Sequence, residues 1–521
     1  MTFIAFVMLS PKWTVGLAAW VGPGLMIFAI KGFKPWKAYV VAAVVLFLSS
    51  LVSLYKVMPF PGVLFVAMSF WISLQAAMPY WINRILYPRF RGWTSTLIFP
   101  SALTALEFVS SFGGSGTWGS IAYTQMSNPY LMQTSSLVGI WGITFIIGWF
   151  ASIGVWVLGR GLSMGTVRRT IYAFSALCFA LLLFGLIKVN RYFGSGHDTV
   201  RVAGIAGSNL SLLQAMYEDA YGKRFEVDEE IISQNSPELA ELQKGFAAFL
   251  EQSENDRYKR TKRKILSHQD SLFTLSAKEA EAGAKIIAWS EALAIVLKAD
   301  EDILIEKGSK FASHHKIYLL MTLAALHPGK VEFGKKFVEN KTIFFGPDGE
   351  ILNVFFKNKP VPMVEPSVAG DGKVPVIPTP YGNVAISICY DADFPTLMRQ
   401  LSDQRADILL LPAGDWREVS PYHAQMATVR SIENGVSLLR PVSFAQSIAT
   451  DRNGRIVAMR NYYDKGQKVL VAHIPVNRVR TVYAVVGDSF AWLTVVGILY
   501  FIIVAIVQRL KPRFMITQPV G

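Results

Sequence analysis

Cys389 ends an apolar run, 384–388, and directly precedes Tyr390, Asp391 and a helix-like stretch over 394–402. A strand that runs into a cysteine and then turns into a helix forms a nucleophile elbow. It holds the thiol on a tight turn within reach of a substrate carbonyl. The chain has two cysteines, and the other, Cys178, lies in an apolar stretch that reads as membrane-spanning. Cys389 therefore has no disulfide partner in its own domain. Alone, such a cysteine reads as packing before it reads as catalysis. Two further segments shift that balance. Residues 285–288 read as a short buried strand delivering Trp289, Ser290 and Glu291. Residues 351–356 read as another, after the turn Gly346-Pro347-Asp348-Gly349, delivering Lys357 and then Val361, Pro362, Met363 and Glu365. A carboxylate, an ammonium and a thiol at three strand ends can converge at one edge of a sheet. Glu291 would take the thiol proton and relay it. Lys357 would favour the thiolate and stabilise an oxyanion, and Cys389 would carry an acyl group as a thioester.

Those three motifs resemble the Glu–Lys–Cys motifs of the nitrilase (carbon–nitrogen hydrolase) superfamily, and the flanking membrane segments narrow the resemblance to the apolipoprotein N-acyltransferases. Residues 357–365 read Lys-Asn-Lys-Pro-Val-Pro-Met-Val-Glu, similar to that family's Lys-Asn-His-Leu-Val-Pro-Phe-Gly-Glu. Further similarity lies in Gly382-Asn383, in Tyr422-His423-Ala424-Gln425-Met426-Ala427 leading to Arg430-Ser431-Ile432-Glu433-Asn434-Gly435, and in Leu438-Leu439-Arg440. In the membrane part, Ala122-Tyr123-Thr124-Gln125 and the run from Gly139 to Phe145 are similar to the same family. The resemblance implies an α-β-β-α sandwich and catalysis by Glu291, Lys357 and Cys389, with Glu365 as the family's second glutamate. It implies a phospholipid acyl donor and, as acceptor, the α-amine of diacylglyceryl-cysteine at a lipoprotein N-terminus. Several positions depart from the family: Val364 replaces a glycine, Asp391 a glutamate, and Ala413-Gly414-Asp415-Trp416 and Pro441-Val442-Ser443-Phe444-Ala445 replace segments that wall the pocket. A membrane-anchored nitrilase-type amidase, or an N-acyltransferase with a different acceptor, would use the same triad. Retention of all three catalytic residues opposes a merely lipid-binding scaffold.

The composition suits a membrane enzyme. Hydrophobic residues make up 52% of the 521 and charged residues 17%, too apolar a balance for an ordinary soluble protein. Candidate spans, judged against the ~17–25 residues a bilayer requires, fall at 13–30, 38–55, 62–82, 95–112, 135–158, 171–188 and 484–507. The short apolar stretch 3–9 is either a half-helix or part of a first helix broken at Pro11. No cleavable signal pattern precedes 13–30, so the first helix is expected to stay. The expected organisation is a multispanning α-helical bundle over 1–188 with about six spans, an α/β nitrilase-like domain over 189–483, and a final helix with a basic tail over 484–521. The formal charge of +14 invites a nucleic-acid reading, but the positive-inside bias accounts for much of it. Lys31, Lys34 and Lys37, then Arg84, Arg89 and Arg91, then Arg160, Arg168 and Arg169, then Arg509, Lys511 and Arg513 occupy alternate connections. Between them, 56–61 holds Lys56 alone and 113–134 no Lys or Arg. This alternation predicts a multi-pass inner (plasma) membrane protein whose 189–483 domain lies on the extracytoplasmic (periplasmic) side. No nucleic-acid partner is expected.

Within that domain, strands are expected at 200–205, 285–288, 316–321, 342–345, 351–356, 384–388, 408–411, 436–439 and 469–473, with a tight turn at Asp451-Arg452-Asn453-Gly454. Alternating helical stretches make it α/β. No phosphate-cradling loop and no set of metal ligands at suitable spacing stands out, His314 and His315 being merely adjacent. No cofactor or metal is expected. Trp289 and Tyr390 flank catalytic positions and are read as supporting residues, either lining an acyl-chain groove or filling core. His423 reads as a capping or packing residue, with substrate contact as the other reading. Glu107, in an apolar span, is either functional or snorkels at the outer interface. The charged stretch 211–268, with Glu229, Glu230, Glu238, Glu241, Lys259, Arg260, Lys262, Arg263 and Lys264, reads as solvated helices inserted relative to the family.

Overall fold

In the computed structural model, which describes residues 1–161, 165–190, 198–229, 236–332 and 334–510, the first third of the chain is helical. Among the described residues, five helices are long and apolar enough to cross a membrane: Pro35–Ser53, Gly62–Arg89, Ile140–Arg160, Gly165–Asn190 and Ser489–Arg509. Two expected spans are shorter. Gly16–Ile30 starts only after the turn around Pro11, and Thr2–Val7 is a separate short helix. The span expected at 95–112 opens as a 3-10 segment, Trp93–Leu97, and becomes α-helical at Ile98–Ser110. The bundle inverts the packing of a soluble protein. Leu17, Val21, Val40, Val44, Leu48, Val66 and Phe70 are exposed, while Ala38, Ala42, Ser49, Ser50, Ser69 and Ser73 are buried between helices. Small residues let helices approach closely where lipid tails compete with apolar contacts, and Ser50 Oγ lies 3.3 Å from Ser73 Oγ. Glu107 is claimed by protein partners. Its carboxylate accepts from Ser120 Oγ at 2.7 Å, Ile121 N at 3.1 Å and Thr144 Oγ1 at 2.8 Å, pinning the turn Ile121–Gln125.

Apart from the short parallel pair Ala413–Gly414 and Val442–Ser443, the strands form two facing sheets. One is seven-stranded, in the order Val469–Pro475, Thr199–Ile205, Ile286–Trp289, Tyr318–Leu326, Val338–Phe345, Ile351–Phe356, with Ala294–Leu297 added on Tyr318–Leu326. The other is six-stranded, in the order Ile456–Asn461, Gln446–Thr450, Ser437–Arg440, Ile408–Leu410, Gly382–Ile386, Val376–Thr379. Because side chains alternate along a strand, the two faces feed different cores. Ile286, Ala288 and Leu320 meet Val384, Ile386, Leu410 and Leu439 between the sheets. Ile287, Trp289 and Leu319 meet Leu272, Phe273, Leu304 and Ala312 of the helices Lys259–Glu281 and Glu301–His315 outside the first sheet. Ala385, Leu409 and Leu438 meet Ala424 and Ala427 of Tyr422–Asn434 outside the second. This is an α-β-β-α sandwich, and burial on both faces explains why its central strands read as unbroken apolar runs.

Four strands of these two sheets lie beyond the expected set, Gln446–Thr450 among them. Val376–Thr379 and Ile456–Asn461 are edge strands with a partly exposed face, and Ala294–Leu297 is too short to show a period. Gln446–Thr450 pairs with Ile456–Asn461 across the turn at Asp451, where Gly454 adopts φ +73°. The 211–268 stretch is corrected too. Helices Leu210–Tyr221 and Pro237–Glu251 pack on each other and on the sandwich through Leu212, Met216, Phe249 and Leu250. The third helix runs on to Glu281 and buries Leu272 and Phe273 as part of the outer layer. Charge on one face had concealed an apolar stripe on the other. Glu230 and the tail residues Lys511 and Arg513 lie outside the described residues.

The bundle and the sandwich meet through buried polar contacts. Glu433 Oε1 accepts from Ile140 N at 3.0 Å, capping the start of Ile140–Arg160, and from Arg430 at 3.2 Å. Trp141 Nε1 donates to Asp488 Oδ1 at 2.8 Å, at the entry to Ser489–Leu510.

Candidate active site

The strand Gly382–Ile386 leads through Ser387 and Ile388 into a 3-10 turn, Cys389–Asp393. Cys389 sits there at φ +49°, in the left-handed region that a side chain occupies only under constraint. Asp391 supplies that constraint. Its buried carboxylate accepts from Ile388 N at 3.0 Å and Ser387 Oγ at 3.2 Å within the turn, and from Lys359 N at 2.7 Å just beyond Lys357. One side chain thus ties the nucleophile turn to the lysine segment. Burial is the main influence on Asp391 and pushes its carboxyl up to about 6.

Glu291 follows Ile286–Trp289, and Lys357 follows Ile351–Phe356, both in the first sheet, whereas Cys389 belongs to the second. The three meet across the gap between sheets rather than along one sheet edge. Lys357 Nζ donates to Glu291 Oε1 at 2.7 Å and also to Glu365. Glu291 Oε1 accepts from Asn340 Nδ2 at 2.7 Å, and Oε2 accepts from Gly414 N at 2.8 Å. The Cys389 thiol is a further partner of Glu291. The segment after Ile408–Leu410 fills the gap, since Pro412 O accepts from Cys389 N at 2.9 Å while Gly414 N holds Glu291.

Electrostatics assign the resting protons. Burial opposes a charge on Glu291, but the Lys357 ammonium and the hydrogen bonds from Lys357 and Asn340 outweigh it and hold the carboxyl below its ordinary value. Burial opposes a charge on Lys357 as well, yet Glu291 and Glu365 hold its pKa well above the usual lysine range. Burial pushes Glu365 up. Burial, followed by the Glu291 charge, pushes the Cys389 thiol well above its usual value despite Lys357. Lys357 acts in the direction that favours the thiolate, but burial and the Glu291 charge outweigh it.

Of the supporting residues, Trp289 is fully buried on the opposite face of its strand. It packs on Phe273 and donates through Nε1 to Ser276 Oγ at 2.9 Å, so it is core and not a groove wall. Tyr390 stays beside Cys389, and its hydroxyl donates to Gly114 O at 2.7 Å in a loop of the membrane bundle. That loop also bonds Asp393 O, through Thr117 N at 2.8 Å and Thr117 Oγ1 at 2.9 Å. A second bundle loop meets the site where Trp416 Nε1 donates to Lys56 O at 3.1 Å.

Behind the thiol lies a buried charge cluster that the sequence reading missed. His423 places Nδ1 2.6 Å from Asp415 Oδ1 and Nε2 3.1 Å from Asp393 Oδ1. Arg440 reaches Asp415 Oδ2 at 3.0 Å. Asp415 Oδ1 stands 3.9 Å from Cys389 Sγ. Burial would discharge His423, but Asp415 and Asp393 outweigh it and raise the imidazole to about 9, while Asp415 is held well below the usual carboxylate range. His423 therefore neither caps nor merely packs. Two acids, Asp393 and Asp415, close to apolar strands were the available signal, because a buried acid requires a cation. Cys389, Asp415 and His423 bring donor atoms within 4.8 Å of one another. Both imidazole nitrogens are already engaged, however, and the Arg440 guanidinium stands 3.0 Å from Nδ1, so a metal ion there would meet a fixed positive charge.

A four-layer sandwich with glutamate, lysine and cysteine at adjoining strand ends defines the class of carbon–nitrogen hydrolases, and residues 232–484 match the carbon-nitrogen hydrolase family. Residues 3–153 match the apolipoprotein N-acyltransferase N-terminal domain. The apolipoprotein N-acyltransferase of Geobacter metallireducens is 23% identical over 516 residues, covering 92% of this chain and 89% of its own. That of Bradyrhizobium diazoefficiens is 26% identical over 436 residues, covering 80% and 74%. Among solved structures, an amidase from Nesterenkonia sp. aligns with 41% of this chain and 86% of its own at 19% identity and a TM-score of 0.36. The chain belongs to the apolipoprotein N-acyltransferase family, and it is a multi-pass membrane protein.

Proposed function

We propose that this protein transfers an acyl chain from a phospholipid, through a thioester on Cys389, to the α-amine of a diacylglyceryl-cysteine at a lipoprotein N-terminus. The observation that carries this reading is the position of the nucleophile turn. It is bonded through Tyr390 and Asp393 to a loop of the membrane bundle, so the reactive carbon can come from a molecule that stays in the bilayer. Cys389 Sγ attacks the ester carbonyl as its proton passes to Glu291. Lys357, charged and fixed between Glu291 and Glu365, stabilises the oxyanion. Collapse breaks the C–O bond, Glu291 returns the proton to the departing glycerol oxygen, and a lysophospholipid leaves. The acceptor amine then attacks the thioester carbonyl, Glu291 takes the amine proton, the C–S bond breaks, and the proton returns to sulfur.

Incubation with a phospholipid labelled in its acyl chain should leave hydroxylamine-sensitive label on the protein. Equal labelling of wild type and Cys389→Ala would remove the nucleophile assignment. Mass spectrometry of lipoprotein N-termini, with and without the protein, tests the acceptor. Unchanged diacyl and triacyl forms would instead favour an amidase, or transfer to another amine.

A further inference from the structure

At the end of the bundle remote from the sandwich, a cavity of about 350 Å³ opens between Gly16–Ile30, Gly62–Leu86 and Ile140–Arg160. Its rim carries Lys31, Arg84 and Arg160. Arg84 is oriented by a 2.9 Å bond from Nε to Phe33 O, and the Arg160 guanidinium lies 5.9 Å from the centre of the Trp156 ring. Glu107 is the single acidic residue among the first 190, and its carboxylate is committed to Ser120, Ile121 and Thr144. The three cations thus have no carboxylate within the bundle to neutralise them. The cavity wall adds two buried polar atoms without a partner. Trp156 is 1% exposed and its Nε1–H has no acceptor, and Asn83 is 5% exposed and its Oδ1 has no donor. An unmet N–H and an unmet carbonyl in an apolar wall are costly unless something outside the chain satisfies them.

We propose that this cavity binds the headgroup of an anionic glycerophospholipid in the leaflet opposite the catalytic domain. The phosphate would sit among Lys31, Arg84 and Arg160 and accept from Trp156 Nε1, while a headgroup hydroxyl donates to Asn83 Oδ1. The acyl chains would run along the helices beside the opening. Cationic pockets between helices at a basic membrane face suit such headgroups, and the volume falls in the range of small-molecule sites. The site is separate from the acyl-transfer centre and ties together three helices, one of which, Gly62–Leu86, begins just after the loop that touches that centre through Lys56 O.

The test uses the full chain, delipidated in non-ionic detergent and titrated with dioleoylphosphatidylglycerol while native mass spectrometry counts bound lipid. Dioleoylphosphatidylcholine, glycerol 3-phosphate and inorganic phosphate serve as comparison ligands. Wild type should retain phosphatidylglycerol in preference to phosphatidylcholine. Arg84→Gln with Arg160→Gln should weaken that binding roughly 10–30-fold, since each cation near an anionic headgroup contributes about a fivefold factor. Trp156→Phe, which removes only the N–H within nearly the same volume, should weaken it as well. Acyl-enzyme formation at Cys389 should persist in these variants, which separates this site from the substrate site. Equal affinity in the double variant, no preference over phosphatidylcholine, or equally tight binding of inorganic phosphate would each overturn the proposal.

Discussion

Glu291 and Lys357 neutralise each other in a site where each would be costly alone, since burial opposes both charges. Removing Lys357 leaves Glu291 without its cation, and removing Glu291 leaves Lys357 with Glu365 alone. Glu291→Gln and Lys357→Met should each slow acyl-enzyme formation by ~10²–10³, measured as the rate of label incorporation, with the protein still extractable as a folded membrane protein. Undiminished labelling of Lys357→Met would move the oxyanion role elsewhere. Lys359 is a poor substitute, because its ammonium lies over the Phe394 ring at 5.0 Å. His423 gives a pH prediction. Its imidazole is raised to about 9 from an unfolded value near 6.5. The stability contributed by its charged form is therefore complete below about pH 6.5 and is lost as pH rises through about 9. The full effect is of order 3 kcal/mol. Thermal melts of wild type should fall between pH 7 and 10 more steeply than those of His423→Asn, and parallel curves would remove the imidazolium from the cluster.

The elements meet at glycine-rich contacts. The loop that reaches from Ile98–Ser110 to the nucleophile turn passes Asp393 so closely that a Cβ on Gly116 would lie 2.4 Å from Asp393 O, and Gly116 has φ +55°. Gly116→Ala should strain the loop by ~1 kcal/mol or more and displace the turn, lowering both the melting temperature and the labelling rate. Gly119 provides the control. Its φ is +82°, but a Cβ there meets nothing within 4 Å. Gly119→Ala should share the backbone strain and spare the labelling rate. If both variants label alike, the close approach at Asp393 does not hold the site.

For the whole molecule, the cationic connections and the sandwich lie at opposite ends of the bundle. Ile140–Arg160 starts at Glu433 and ends at Arg160, and Gly16–Ile30 starts beside Gln125 and ends at the basic loop around Lys34. With basic loops held inside, the catalytic domain should be extracytoplasmic. Alkaline phosphatase fused after Asn190 should be active, and fused after Arg509 inactive. The opposite pattern would place Cys389 in the cytoplasm and remove lipoprotein acylation from consideration.

What the sequence determined by itself is local. The apolar run into Cys389, the short strands ending at Glu291 and Lys357 and the Asp-Arg-Asn-Gly turn are each legible within a short stretch, because strand burial and turn chemistry act on consecutive residues, and the basic loops are legible one by one, because membrane insertion reads each connection in turn. The tertiary structure decided everything that joins distant segments. It placed Glu291 and Lys357 on one sheet and Cys389 on the other, turned Trp289 into core, and gathered Asp393, Asp415, His423 and Arg440 behind the thiol. The bond from Thr117 to Asp393 spans 276 positions of sequence. Such pairings leave no periodicity to read, and the protonation of Cys389 depends on burial by residues from both sheets, which exists only once the sandwich has closed.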